Sequence, residues 1–209
     1  MKTLVSTVAA AALLAGAVGV ASANAGVVFS DNFNSYGYQL NWAPPANWTA
    51  PGPGTVDLIG ETTTATAFDF FPGNGGYVDL DGSNGVAGTL QTLASFGAGT
   101  YKLTFDLGGN ARGDVAKTTV VSLGDFSQSV TLSSGAPLAL ETFTFKTTGG
   151  QLSFADLAGG NQNIGNILDN VSLSAVPEPA TWAVMLVGFG GLGLAMRNNR
   201  RKLANAAAA

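Results

Sequence analysis

The stretch Tyr101-Lys-Leu-Thr-Phe-Asp-Leu107 limits the possible folds more than any other part of the chain. Tyr101, Leu103, Phe105 and Leu107 share one parity, and Lys102, Thr104 and Asp106 share the other. A period of two describes a strand with one buried and one wet face. Phe143 and Phe145 repeat the pattern. Leu152 and Phe154 continue it, which predicts a hairpin partner across Gly149-Gly150. Short runs rich in Val, Thr, Phe and Tyr recur between Gly, Asn, Ser and Pro punctuation, and no window carries a 3.6-residue period. The predicted strands are 27–33, 55–59, 66–71, 77–80, 87–93, 100–107, 118–123, 127–132, 140–147, 151–155 and 167–174. A long loop covers 34–54. Ten or eleven strands without intervening helices imply an all-β, antiparallel two-sheet sandwich of the jelly-roll kind.

The two ends read differently from this body. Lys2 supplies a positive start, 4–20 hold an apolar Ala-rich run, and Ala23-Asn-Ala25 is an A-x-A cleavage site before Gly26. Residues 1–25 are therefore expected to be a signal peptide, and 26–175 the exported domain. At the other end, Pro177, Glu178 and Pro179 form a stiff, extended linker. An apolar run then opens at Ala183 and closes at Met196, and Arg197, Arg200, Arg201 and Lys202 follow. Trp182 suits the membrane–water interface, and the basic cluster suits the cytoplasmic side. The run predicts a single transmembrane helix, marginal in length and weakened by glycines. A transient anchor and a permanent one fit it equally. Residues 203–209 are expected to be a disordered tail.

Composition excludes several chemistries. The chain has neither cysteine nor histidine, so disulfides, Ser-His-Asp triads, Cys-His dyads and the usual zinc sites are out of reach. Residues 26–175 hold twelve carboxylates against four cations (Lys102, Arg112, Lys117, Lys146), a net charge of −8. That balance excludes nucleic acid as a partner and suits an exported protein. G-G-N-A-R-G-D at 108–114 reads as a turn between strands.

Asp169 has the parity of Ile167, Val171 and Leu173, which puts a carboxylate on an apolar face. It needs either backbone N–H partners at a strand entrance or a cation such as Ca2+, shared with first-strand oxygens such as those of Asp31. Asp79 and Asp81, two apart, point to one side of a continuing strand and are a candidate carboxylate pair for glycoside hydrolysis, although Asp81-Gly-Ser-Asn-Gly85 is also turn chemistry. Trp42, Tyr36 and Tyr38 in the long loop are candidate sugar-stacking platforms or loop-packing residues. Ice binding needs a flat, regular Thr array, and the chain offers one short patch at 62–66.

P-E-P-A-T-W-A, a Gly-rich span and a terminal Arg cluster together resemble the PEP-CTERM sorting signal of Gram-negative, exopolysaccharide-producing bacteria. The resemblance covers 176–202. A segment of this kind is also labelled an ice-binding protein C-terminal domain, a name that describes the tail alone. The resemblance implies an exported substrate of an exosortase-type membrane processing enzyme, with Pro177, Glu178 and Pro179 as the recognition site. It implies transient anchoring in the inner membrane, then a final place at the cell surface or in the extracellular matrix.

S-D-N-F-N, N-W-T-A, Y-V-D-L-D-G, Y-K-L-T-F-D-L-G-G-N and the closing L-D-N-V-S-L resemble the choice-of-anchor C ectodomain. They are more distantly similar to the galactose-binding-like jelly rolls of carbohydrate-binding modules. That likeness implies a core role for Trp48 and a structural Ca2+ joining Asp31 to Asp169. The expected function is a non-catalytic cell-envelope or exopolysaccharide-associated protein. The alternatives are a carbohydrate-binding module, a polysaccharide hydrolase and an ice-binding protein.

Overall fold

The structure is a computed structural model that describes residues 26–177 and 185–197. Among the described residues twelve strands make two sheets. β1 (Val27–Asp31), β3 (Asp57–Glu61), β4 (Thr66–Ala67), β5 (Gly76–Asp79), β7 (Gly99–Gly108), β10 (Ala139–Thr147) and β12 (Ile167–Ala175) form one. Its order is β10-β7-β12-β5-β3-β4, with β1 also paired to β12. β2 (Trp48–Thr49), β6 (Thr89–Phe96), β8 (Lys117–Leu123), β9 (Phe126–Leu132) and β11 (Gly150–Asp156) form the other, in the order β2-β6-β11-β8-β9. Every pairing is antiparallel. The expected jelly-roll sandwich is therefore present.

The alternation in β7 holds: Tyr101, Leu103, Phe105 and Leu107 are buried and Lys102 is exposed. Phe105 meets the Phe154 ring edge-on at 5.1 Å, so rings from the two sheets interlock. Trp48, Leu58, Val78, Leu90, Val121 and Leu173 complete much of the same core.

Three expectations are corrected. First, β10 and β11 are not a hairpin. β10 pairs with β7, while β11 pairs with β6 and β8 in the opposite sheet. The chain crosses between sheets at Gly149, whose φ of 96° and close approach to the Phe96 carbonyl leave no room for a Cβ. Second, 66–71 keeps strand pairing only at Thr66–Ala67. Phe68 turns to φ 50°, and the Phe70 and Phe71 N–H groups donate to the Tyr77 hydroxyl instead of to a neighbouring strand. Third, β12 does not keep one parity. Between Asp169 and Ser172 it advances three residues while β7 moves from Asp106 to Thr104, so one residue is extra. The bulge falls at Asn170, φ 50°, a residue type that tolerates the left-handed region.

The described residues 185–197 are helical, here α1, with Leu186, Val187, Phe189, Leu192, Leu194 and Met196 exposed. No helix among the described residues is long and apolar enough to cross a membrane. Met196 and Arg197 lie in α1, and Pro177 and Gly26 are described. The other end-segment positions named above (Ala23, Ala25, Glu178, Pro179, Trp182, Ala183, Arg200, Arg201) and the 203–209 tail lie outside the described residues.

Candidate functional site

Where β1 and β12 run side by side, the start of the long loop folds over them and leaves an open polar pocket of about 540 Å3. Ser30 and Asp31 come from β1, Val171 and Ser172 from β12 with Asn170 at its bulge, and Asn32, Ser35, Tyr36 and Asn47 from the loop. Asp31 organises this wall. Its Oδ1 accepts the Phe33 N–H at 2.9 Å, and its Oδ2 accepts the Tyr36 hydroxyl at 2.8 Å and the Trp48 indole N–H at 2.9 Å. Burial, with the hydrogen bond to Asp31, pushes the Tyr36 hydroxyl up to about 12, so it remains a proton donor at any physiological pH. One aromatic ring flanked by amides and hydroxyls is the chemistry that holds a hydroxyl-rich ligand. Among the described residues, no lysine or arginine lines the pocket.

Of the three aromatic candidates, only Tyr36 reaches the pocket. Tyr38 packs on the small cluster of Ile59, Tyr77 and Ile167. Trp42 borders a second recess of about 350 Å3 but is only 3% exposed, with its ring packed on Phe33 and Tyr36. It has no open face for stacking.

The Ca2+ expected between Asp31 and Asp169 would meet two carboxylates that already carry protein donors. Both Asp31 oxygens accept protein N–H or O–H groups. The bulge at Asn170 turns Asp169 away from the apolar face and sets it opposite Asp106. There Asn170 donates to both Asp169 oxygens, at 2.7 and 3.3 Å, and to Asp106 at 2.8 Å. Asp169 is fully buried, and burial, aided by Asp106 and Asp31, pushes its carboxyl up to about 7. Among the described residues no group of three His, Cys, Asp or Glu side chains is arranged for a metal.

Asp79 and Asp81 are both buried and both hold cations. Arg112 pairs with Asp79, whose other oxygen accepts the Asp81 and Gly165 N–H groups at 3.1 and 2.8 Å. Burial raises the Asp79 carboxyl, and Arg112 opposes that rise. Lys117 pairs with Asp81 at 3.3 Å. Neither carboxylate faces the polar pocket. The threonine patch is no flat array: the Thr62 and Thr63 hydroxyls donate to the Ala65 and Tyr36 carbonyls, and Thr64 accepts the Tyr38 N–H.

Sequence reasoning misses Lys117, Asp156 and Asn166, although all three are buried. A signal is present for one of them: Lys117 has the parity of Thr119, Val121 and Leu123, the buried side of β8. Asp156 is pushed up to about 7 by burial, opposed by the Thr119 hydroxyl and reinforced by Asp81.

No curated protein matches the chain in sequence. Solved structures match it in fold. The K3 cleaved adhesin domain of Lys-gingipain from Porphyromonas gingivalis aligns with TM-score 0.52 at 13% identity, covering 72% of this chain and 99% of that one. The CBM22-1–GH10 modules of an endo-1,4-β-D-xylanase from Clostridium thermocellum align at TM-score 0.46 and 13% identity, over 73% of this chain. The chain spans only 29% of that xylanase chain. A family 35 carbohydrate-binding module from the same bacterium aligns at TM-score 0.39 and 15% identity, covering 71% of this chain and 99% of that one. At the C-terminal side, residues 175–202 match the family model of the PEP-CTERM protein-sorting motif. The chain thus joins a jelly-roll sandwich to a PEP-CTERM sorting segment, the mark of a protein exported and then processed at the membrane by exosortase.

Proposed function

We propose that this protein is a non-catalytic, exported component of the cell surface or extracellular matrix that contacts neutral polysaccharide through the Tyr36 pocket. The observation that carries this reading is the pocket's lining: one partly buried tyrosine ring beside asparagine and serine side chains and the Asp31 carboxylate, with no cation among the described residues. Sugar hydroxyls pair with amides, and the ring offers an apolar face. A wall without lysine or arginine disfavours sugar acids and phosphates. The sorting segment supports delivery to the place where such polymers are found.

The test is a glycan array probed with the full-length chain in mild detergent. Binding to neutral glycans is expected, with loss in Tyr36→Ala and retention in Trp42→Phe. An array with no signal, or binding that survives Tyr36→Ala unchanged, rejects the pocket. Turnover of a bound glycan, abolished by Asp79→Asn or Asp81→Asn, would establish the hydrolase alternative instead.

A further inference from the structure

Lys117 is 1% exposed, on the inward face of β8 in line with Val121 and Leu123. Its ammonium is surrounded by oxygen. It donates to the Gly159 carbonyl, to the Asn161 carbonyl at 2.8 Å and to Asp81 Oδ2 at 3.3 Å, and it lies 3.6 Å from Asp114 Oδ2. Three N–H donors meet three acceptors, and a second carboxylate stands behind them. Asp114 itself is anchored by the N–H groups of Val115 and Asn161, so the turn after β7 and the loop after β11 meet at this nitrogen.

A second observation points to the same place. Asp81 Oδ1, Asp156 Oδ2, Asn166 Oδ1 and Asn110 Nδ2 are buried and have no hydrogen-bond partner among the described residues. Three are oxygens and the Asn110 amide nitrogen is a donor; the Asp81 oxygen belongs to the carboxylate that already holds the ammonium. Asn166 donates to the Lys117 carbonyl at 3.2 Å and to Thr119 at 3.0 Å, and Thr119 donates to Asp156 at 3.0 Å. Asn166 and Asp156 therefore border the lysine's strand, and of these acceptor groups Asp81 is the one that touches the ammonium. Uncompensated buried acceptors call for positive charge. Main-chain carbonyls and carboxylates, without sulfur or imidazole, are ligands that suit a hard cation that takes 6–8 oxygens.

We propose that Asp81, Asp114 and the carbonyls of Gly159 and Asn161 form a cation cage whose tenant is the Lys117 ammonium, and that the same cage, once that ammonium is removed, takes a hard divalent cation of the Ca2+ class. The chain carries its own cation here, covalently tethered, and it ties together the loops after β5, β7 and β11. This site is separate from the Tyr36 pocket, and its test is independent of glycan binding.

The experiment is thermal unfolding of the full-length chain and of Lys117→Ala, each in EDTA and in Ca2+. The variant is expected to melt lower than wild type in EDTA. Ca2+ at about a hundred times its Kd should raise its Tm by about 5–10 °C. Lys117→Ala/Asp81→Ala should lose that response. Equal melting of Lys117→Ala in EDTA and Ca2+ overturns the latent metal site. If the variant does not fold in either buffer, the tenant is read in the unsubstituted chain. A caged ammonium gives a slowly exchanging Nζ resonance coupled to three protons at neutral pH, and a neutral or freely exchanging amine overturns the cage.

Discussion

The Trp48 indole N–H donates to Asp31 Oδ2 at 2.9 Å, and this bond joins the two sheets. Asp31 ends β1 in one sheet, and Trp48 opens β2 at the edge of the other. The same carboxylate oxygen holds the Tyr36 hydroxyl, so the candidate binding wall and the closure of the sandwich share one acceptor. Asp31→Ala removes it and leaves a buried indole N–H unpaired. The expected loss is about 2–3 kcal/mol, read by chemical denaturation. Asp31→Asn should cost less, because its amide oxygen still accepts. Equal stability of Asp31→Ala and wild type would show that the bond closes nothing.

Phe105 is fully buried between Phe143, at 5.8 Å, and Phe154, at 5.1 Å. Phe105→Ala is expected to cost about 3–5 kcal/mol as a cavity in a packed core. Phe143, half-buried at the rim, should cost less. An unchanged melting temperature in Phe105→Ala would refute the face assignment on which the sandwich rests.

Gly149 makes the crossing from β10 to β11 with φ 96°, and a Cβ on it would stand only 2.6 Å from the Phe96 carbonyl oxygen. Gly149→Ala adds left-handed strain to a main-chain clash. The expected cost exceeds about 1 kcal/mol. Gly135, with open space around it and no positive φ, is the control at which alanine should be tolerated. Equal stability of the two variants would contradict the corner.

The buried acids predict an unusual pH profile. Asp156 rises from 3.8 to about 7, and Asp169 rises from 3.8 to about 7. A raised carboxyl means that the folded chain keeps a proton which the unfolded chain releases. Stability from these groups is fully present below about pH 4 and is lost as pH rises to about 7. Asp114 and Asp125, held below the usual range by main-chain N–H groups, act in the opposite sense and lose their contribution in stronger acid. Melting temperature should therefore peak in mild acid and fall towards neutrality. Asp156→Asn mimics the protonated form and should gain on the order of 1–3 kcal/mol at pH 8, with a flatter profile. A melting temperature that rises from pH 5 to pH 8 would rule this out.

Much of the fold is legible along the chain. The alternation of Tyr101, Leu103, Phe105 and Leu107 needs no partner to be recognised, because the two faces of a strand are written in its own parity. The PEP-CTERM segment is equally legible, because its information is a contiguous string. The site is legible only in part. Tyr36 stands among the aromatic candidates, but nothing local separates it from Trp42, which the sandwich buries. Asp31 and Asp169 stand out as unusual in the sequence, yet their partners are Trp48, Tyr36, Asn170 and Asp106, which only pairing brings near.

The sequence by itself determined the class of fold, the strand faces and the sorting segment, since each depends on residues adjacent or alternating in the chain. Tertiary structure decided the rest. One extra residue at Asn170 reversed the face of Asp169, because parity beyond a bulge no longer counts from the same origin. A glycine corner sent β11 into the opposite sheet, because two glycines in sequence fit a tight hairpin and a crossing equally well. The Lys117 cage draws its oxygens from 81, 114, 159 and 161, separated in sequence and joined only when three loops converge on one buried charge.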